Sequence, residues 1–226
     1  MCGMTKAEEF LTKLQEREPE LFSGPLQKSN LTDGDLQEIE KALGYAVPQQ
    51  YREFLQSFCL SDLTVYIAFC GDKFACSFEE TFSREQNQYV QRDWDNDSGV
   101  LVGMEWHNLG GQNAAEWLSR LKDFDREGNH AFLKAGYIFL GEFYGYLVLY
   151  DLVEGCVVDI HHEAIYDVLY ELGIDDWDDM NPEALRTGMG TWGDTLCREF
   201  NDFLRLVCLG ECYDEDELVF TEGEKA

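Results

Sequence analysis

Leu36-Gln37-Glu38-Ile39-Glu40-Lys41-Ala42-Leu43-Gly44-Tyr45-Ala46-Val47-Pro48-Gln49-Gln50-Tyr51-Arg52-Glu53-Phe54-Leu55 is the stretch that decides the fold. Leu36, Ile39 and Leu43 recur at i, i+3 and i+7, so they line one helical face, with Thr32 placed to cap the helix and Gly44 to end it. Pro48 suits the first turn of a second helix, where a missing N–H costs nothing, and Tyr51, Phe54, Leu55 and Phe58 give that helix a wide apolar face. Two amphipathic helices joined by a short Gly/Pro link form a hairpin that must bury its apolar side on another layer.

That layer follows in the sequence. Residues 63–70 and 73–78 are short β-branched and aromatic runs separated by Gly71-Asp72, a hairpin-turn pair. Residues 100–106 form a third apolar run, and residues 114–124 return to helical spacing through Ala114, Trp117, Leu118, Leu121 and Phe124. Residues 136–143, 146–151 and 156–161 read as three strands linked by Gly145 and Glu154-Gly155, connections short enough for an antiparallel meander. Helices return with Ile165, Val168, Leu169 and Leu172, stopped by Gly173, and with Phe200, Phe203, Leu204 and Val207. The order predicts an α+β fold: an antiparallel sheet of about six strands with helices packed on it at both ends of the chain. Residues 1–30 read as an N-terminal helical extension, with Phe10, Leu11 and Leu14 on one face, residues 31–209 as the domain, and residues 210–226 as an acidic, loosely held tail.

Quoted as Leu36-x3-Glu40-x2-Leu43-Gly44-x3-Pro48-x2-Tyr51-x2-Phe54-Leu55, the opening helices resemble the signature of the SUKH superfamily, the Smi/Knr-like immunity and regulatory proteins. Gly145-Tyr146 with Tyr150-Asp151 and then Val157-Val158-Asp159 is similar to the late hairpin of that family, and Phe200-x2-Phe203-Leu204 to its closing helix. The chain departs from the pattern after Leu55, where the family commonly places an Asn-Gly or Gly-Gly turn and this sequence has Cys59-Leu60-Ser61-Asp62. The resemblance implies the same α+β architecture. It also implies a binding protein rather than an enzyme, most often an immunity protein that neutralises a cognate toxin, with a Knr-like regulatory scaffold as the alternative. Glu40 and Tyr51 match family positions and read as structural: Glu40 can accept hydrogen bonds from the loop past Gly44, and Tyr51 can pack the helical hairpin.

The 226 residues carry 17 Lys plus Arg against 45 Asp plus Glu, a net charge of -28. Such a field repels nucleic-acid phosphates and anionic membranes and attracts basic proteins, so a direct nucleic-acid binder is disfavoured. The charge serves either solubility alone or a basic partner. Eight scattered cysteines without a Cys-x-x-Cys pair fit reduced, mostly buried thiols. No apolar run has signal-peptide or membrane-spanning form, and the expected location is the cytoplasm.

Asp93-Trp94-Asp95-Asn96-Asp97 alternates acids as a calcium loop does, but the sixth and twelfth positions, which need Gly and Glu, are Ser98 and Met104. Asp175-Asp176-Trp177-Asp178-Asp179 repeats the combination of tryptophan and carboxylates. In each cluster either the Trp points inward above solvated acids, or Trp and acids together dock a basic protein. The binding reading selects Asp93, Trp94, Asp95, Asp97, Asp175, Asp176, Trp177, Asp178 and Asp179 as the contact surface for a cognate, basic, nucleic-acid-targeting toxin. No cofactor or metal is expected. A third reading, a small-molecule or metal enzyme, would centre on His161, His162 and Glu163, although on a strand the two rings point to opposite faces and one is expected to cap or be buried.

Overall fold

The computed structural model describes residues 4–70, 80–83, 88–91, 100–107, 110–125, 130–174, 181–214 and 216–220. Helix α1 (Lys6–Arg17) opens on a capping box in which the Thr5 hydroxyl accepts from Glu8 N and the Glu8 carboxylate accepts from Thr5 N. Thr32 and Asp35 repeat the device at α2 (Asp33–Leu43), and Gly44 ends that helix at φ 80°, a left-handed conformation that a Cβ would strain. Pro48 leads into α3 (Gln49–Ser57). The Glu40 carboxylate binds the connection between the two helices, accepting from Val47 N at 2.9 Å and Arg52 Nη2 at 2.7 Å. Tyr51 is fully buried, its ring 4.7 Å from Tyr150 and 4.8 Å from Phe200. Both residues therefore hold the hairpin in the way their positions suggested.

The remaining elements are β1 (Gln27–Lys28), β2 (Phe58–Cys59), β3 (Leu63–Cys70), β4 (Glu80–Ser83), β5 (Gln88–Gln91), β6 (Val100–Trp106), α4 (Ala114–Phe124), α5 (Ala131–Lys134), β7 (Tyr137–Phe143), β8 (Tyr146–Asp151), β9 (Val157–His161), α6 (His162–Glu171), α7 (Pro182–Trp192), β10 (Asp194–Cys197), α8 (Phe200–Leu209), β11 (Cys212–Asp214) and β12 (Val219–Phe220). The fold is α+β. Eight strands make the main sheet in the order β10-β9-β8-β7-β6-β3-β11-β12, with β1–β2 and β4–β5 as separate antiparallel pairs. Neighbours in the main sheet are antiparallel except β11, which runs parallel to β3.

Three differences from the sequence reading concern the sheet. It is larger than six strands because β10, β11 and β12 join it, and it is mixed rather than purely antiparallel. Part of the segment expected to be a loose tail is sheet, and Tyr213 within it is fully buried. The run at residues 73–78 and its Gly71-Asp72 turn lie outside the described residues; β3 pairs with β6.

Side chains alternate across the sheet and fill two cores. On one face Val148, Tyr150, Trp106 and Ile138 meet Phe54, Phe200 and Phe203, and Leu11 and Leu14 of α1 are buried in the same cluster. On the other, Tyr137, Leu149 and Ile160 meet Ile165 and Val168 of α6 and Leu185 and Met189 of α7. Helices α6 and α7 touch through Gly188, where a Cβ would stand 2.3 Å from Val168 Cγ1. Helix α4 spans both cores: Trp117 is buried in the first, while the Phe124 ring lies 5.3 Å from Phe139, which packs against the second.

Candidate functional site

Asp93, Trp94, Asp95, Asp97, Asp175, Asp176, Trp177, Asp178 and Asp179 all lie outside the described residues. The histidine cluster is described, and its geometry is that of a helix start. Strand β9 ends at His161 and α6 begins at His162, so the chain changes direction between them and the rings become neighbours, with centroids 4.6 Å apart, rather than facing opposite sides. The Nδ1 of His161 accepts from Glu163 N at 3.3 Å, capping α6. The backbone N of His162 donates to Gly145 O at 2.8 Å, and its Nδ1 lies 2.9 Å from the same oxygen. One Nδ1 on each ring is thus engaged with backbone. Among the described residues, no group of three His, Cys, Asp or Glu is placed to hold a metal ion.

The thiols follow the same pattern. Burial pushes the Cys197 and Cys208 thiols well above the ordinary range, the direction opposite to that of an activated nucleophile.

The feature with binding geometry is a groove on the second face of the sheet. The C-terminal end of α4, the short α5 and strands β7 and β8 enclose a cavity of about 290 Å³ walled by Leu121, Phe124, Phe132, Phe139, Leu147 and Leu149. Its polar lining includes His107, Asp125 and Glu142. A second cavity of about 280 Å³ shares Phe124, Asp125, Phe132 and Leu147 with the first and continues to His162, Ile165 and Tyr166 on α6. Large aromatic side chains stay uncovered along its border, among them Phe124 at 43% exposure and Tyr166 at 69%. The groove is mostly apolar with a few convergent polar groups, the usual make-up of a ligand site.

Asp125 is its most unusual member. It is the C-cap of α4 and only 6% exposed, and its Oδ2 accepts from Leu133 N at 2.8 Å. Burial raises its pKa to about 6, only partly offset by that hydrogen bond and by the charge of His130. Sequence reasoning passed over this residue, although one signal was present: an acid at the carbonyl end of a helix opposes the helix dipole, which favours a cation there.

Residues 30–205 match the SMI1 / KNR4 family (SUKH-1). The chain belongs to this family. Searches of curated proteins and of solved structures find no match. The SMI1 / KNR4 match runs from just before α2 into α8, so α1 precedes it and β11 and β12 follow it, yet α1 shares the main core and the last two strands extend the main sheet. The groove is made by elements inside the SMI1 / KNR4 match.

The Asp125 environment makes a pH prediction. Its folded pKa of about 6 lies above the unfolded value of about 3.9, so the folded state holds the proton more tightly. The associated stability is fully present below about pH 4 and is lost as pH rises through about 6. Asp125→Asn keeps an acceptor for Leu133 N without the charge, so it is expected to be more stable than the parent by up to ~3 kcal/mol at pH 7.5 and equal to it near pH 4. Urea unfolding at the two pH values measures the difference, and a variant less stable than the parent at pH 7.5 would contradict the assignment.

Proposed function

We propose that this SMI1 / KNR4 family chain is a cytoplasmic immunity protein that binds a cognate basic toxin directed at nucleic acid and neutralises it by occlusion. Family membership supports a protein-binding role, and the observation that carries the choice of partner is the excess of 45 acidic over 17 basic residues. An enzyme that grips phosphates presents a basic cleft, and an acidic protein can fill that cleft as a charge mimic. Inhibition of this kind requires no chemistry from the inhibitor. In this reading Asp93, Trp94, Asp95 and Asp97, with Asp175, Asp176, Trp177, Asp178 and Asp179, supply the charged contacts and their aromatic anchors.

Capture of partners by the tagged chain from its own cells, at low and high salt, tests the proposal. The expected result is one basic protein that is released as salt rises and whose nuclease activity the chain suppresses. Reversing the charges of both acidic segments to lysine is expected to weaken capture at least tenfold while leaving the unfolding midpoint unchanged. Capture of several unrelated proteins, with no toxicity suppressed, would instead establish the regulatory-scaffold role known for Knr-like members.

A further inference from the structure

We infer that the cavity between α4, α5 and strands β7 and β8 is a socket for one basic side chain, an arginine or lysine of the bound protein, with its aliphatic stem on the apolar walls and its cationic head at Asp125 and Glu142. The inference rests on the protein-binding reading above and adds a defined anchor to it.

Size is the first argument. The space of about 290 Å³ is roughly twice that of a 150 Å³ apolar cavity able to take a benzene ring, so a single long side chain fits. The second is the wall chemistry. Phe124 and Phe139 lie 5.3 Å apart and tilted by 30°, with the His107 ring stacked on Phe139 at 5.9 Å, and such aromatic faces attract a guanidinium or ammonium group above them.

The third argument is an unbalanced charge. Asp125 lines both cavities, is only 6% exposed, and takes its hydrogen bonds from backbone N–H groups, those of Leu133 and Phe132, rather than from a cation. The ion pairs that lysines and arginines form among the described residues all go to other carboxylates. His130 and Lys134 act on Asp125 through space, and His130 Nδ1 is engaged by the Asp125 carbonyl oxygen. A buried carboxylate without a cation is costly, and a cation delivered by a ligand removes that cost. Glu142, on the same wall, adds a second negative group.

Charge also excludes the other occupants of an apolar slot. A fatty acid or phospholipid brings an anionic head to Asp125 and Glu142, and a second copy of this chain brings its own charge of -28. A basic partner is complementary in both stem and head.

The test uses the full chain, labelled with ¹⁵N, and three blocked pentapeptides: Ala-Ala-Arg-Ala-Ala, the same peptide with lysine, and the same peptide with citrulline, the neutral isostere of arginine. The arginine and lysine peptides are expected to shift the amide signals of Leu133, Phe139 and Leu147 and to saturate in the millimolar range, while the citrulline peptide binds at least tenfold more weakly. Asp125→Asn, which is expected to fold well, should weaken the arginine peptide at least tenfold, and Glu142→Gln, on an exposed position, by a smaller factor. Equal binding of arginine and citrulline peptides, shifts confined to other surfaces, no shifts at all, or unchanged affinity in both variants would overturn the socket. Because no toxin is needed, the two readings fail separately. Peptide binding without any captured toxin sinks immunity alone, and toxin neutralisation without peptide binding at the cavity sinks the socket alone.

Discussion

Asp151→Ala is expected to lower the unfolding free energy by about 3 kcal/mol, because it removes the buried half of an ion pair and leaves the partly exposed Arg186 guanidinium and two turn N–H groups without their acceptor. Asp151 is 4% exposed. Its Oδ2 accepts from Arg186 Nη2 at 2.9 Å and its Oδ1 from Arg186 Nη1 at 3.2 Å, a two-point contact between β8 and α7. The same Oδ1 accepts from Val153 N at 2.8 Å and Glu154 N at 3.1 Å, which shapes the turn into β9. Arg186 in turn donates to Ala135 O at 2.9 Å and sits 4.9 Å above the Tyr137 ring. Alanine strands the guanidinium and two turn N–H groups together. Asparagine can still serve the turn but not the charge, so Asp151→Asn should fall between alanine and the parent. Urea denaturation with an unchanged slope measures all three; a loss below about 1 kcal/mol for alanine would show that the pair is not coupled to the fold.

Gly141→Ala is expected to cost about 3 kcal/mol, the upper end of the usual overpacking range, since a rigid backbone contact has no cheap relaxation. A Cβ on residue 141 would stand 2.1 Å from Glu105 O, a main-chain atom, and 2.8 Å from Met104 Cε. The methionine can move; the carbonyl cannot without parting the strands. Among the described residues β6 and β7 pair at Glu105↔Glu142 and Trp106↔Gly141, and the register of β7 against β8 shifts between Phe139 and Gly141, so this glycine sits at a short and irregular stretch of the sheet. Amide exchange at His107, whose N donates to Leu140 O at 2.7 Å, should accelerate together with the stability loss. Gly24→Ala, with nothing within 4 Å of the new methyl, is the control and should stay within about 0.5 kcal/mol of the parent.

These two residues show what the sequence displays and what it hides. Local devices were legible: Thr32, Gly44 and Pro48 mark helix ends by backbone rules that depend on their immediate neighbours, and the near-continuous apolar runs of β7, β8 and β9 follow from a sheet buried on both faces. Helix α7 was missed because Gly188 and Gly190 lower its local propensity, and the reason for Gly188 is a neighbour, Val168, about twenty residues earlier in the chain. Strand β11 was missed because three residues in an acidic segment carry no period of their own; their pairing with Ala68, Phe69 and Cys70 makes them a strand. At the candidate groove, the apolar positions of α4 and β7 could be read, but the convergence of Asp125, His107 and Glu142 arises from the placement of α4 across the edge of two cores. The exchange of face at His161 and His162 is likewise a boundary effect, since a strand period was applied one residue too far.

The contact between α1 and α8 has a consequence for the living cell. These helices pack together, and Arg17 Nη1 donates to Cys208 O at 3.0 Å across a separation of 191 residues. A ribosome adding about 5–20 residues per second delivers α8 roughly 10–40 s after α1. For that interval the apolar stripe of Ala7, Leu11 and Leu14 lacks one of the two helices it packs against in the finished fold, and closing so long a loop makes this docking a late step. The nascent chain therefore offers a holdase chaperone a defined window and a defined target, and slowing translation lengthens the exposure of the same three side chains.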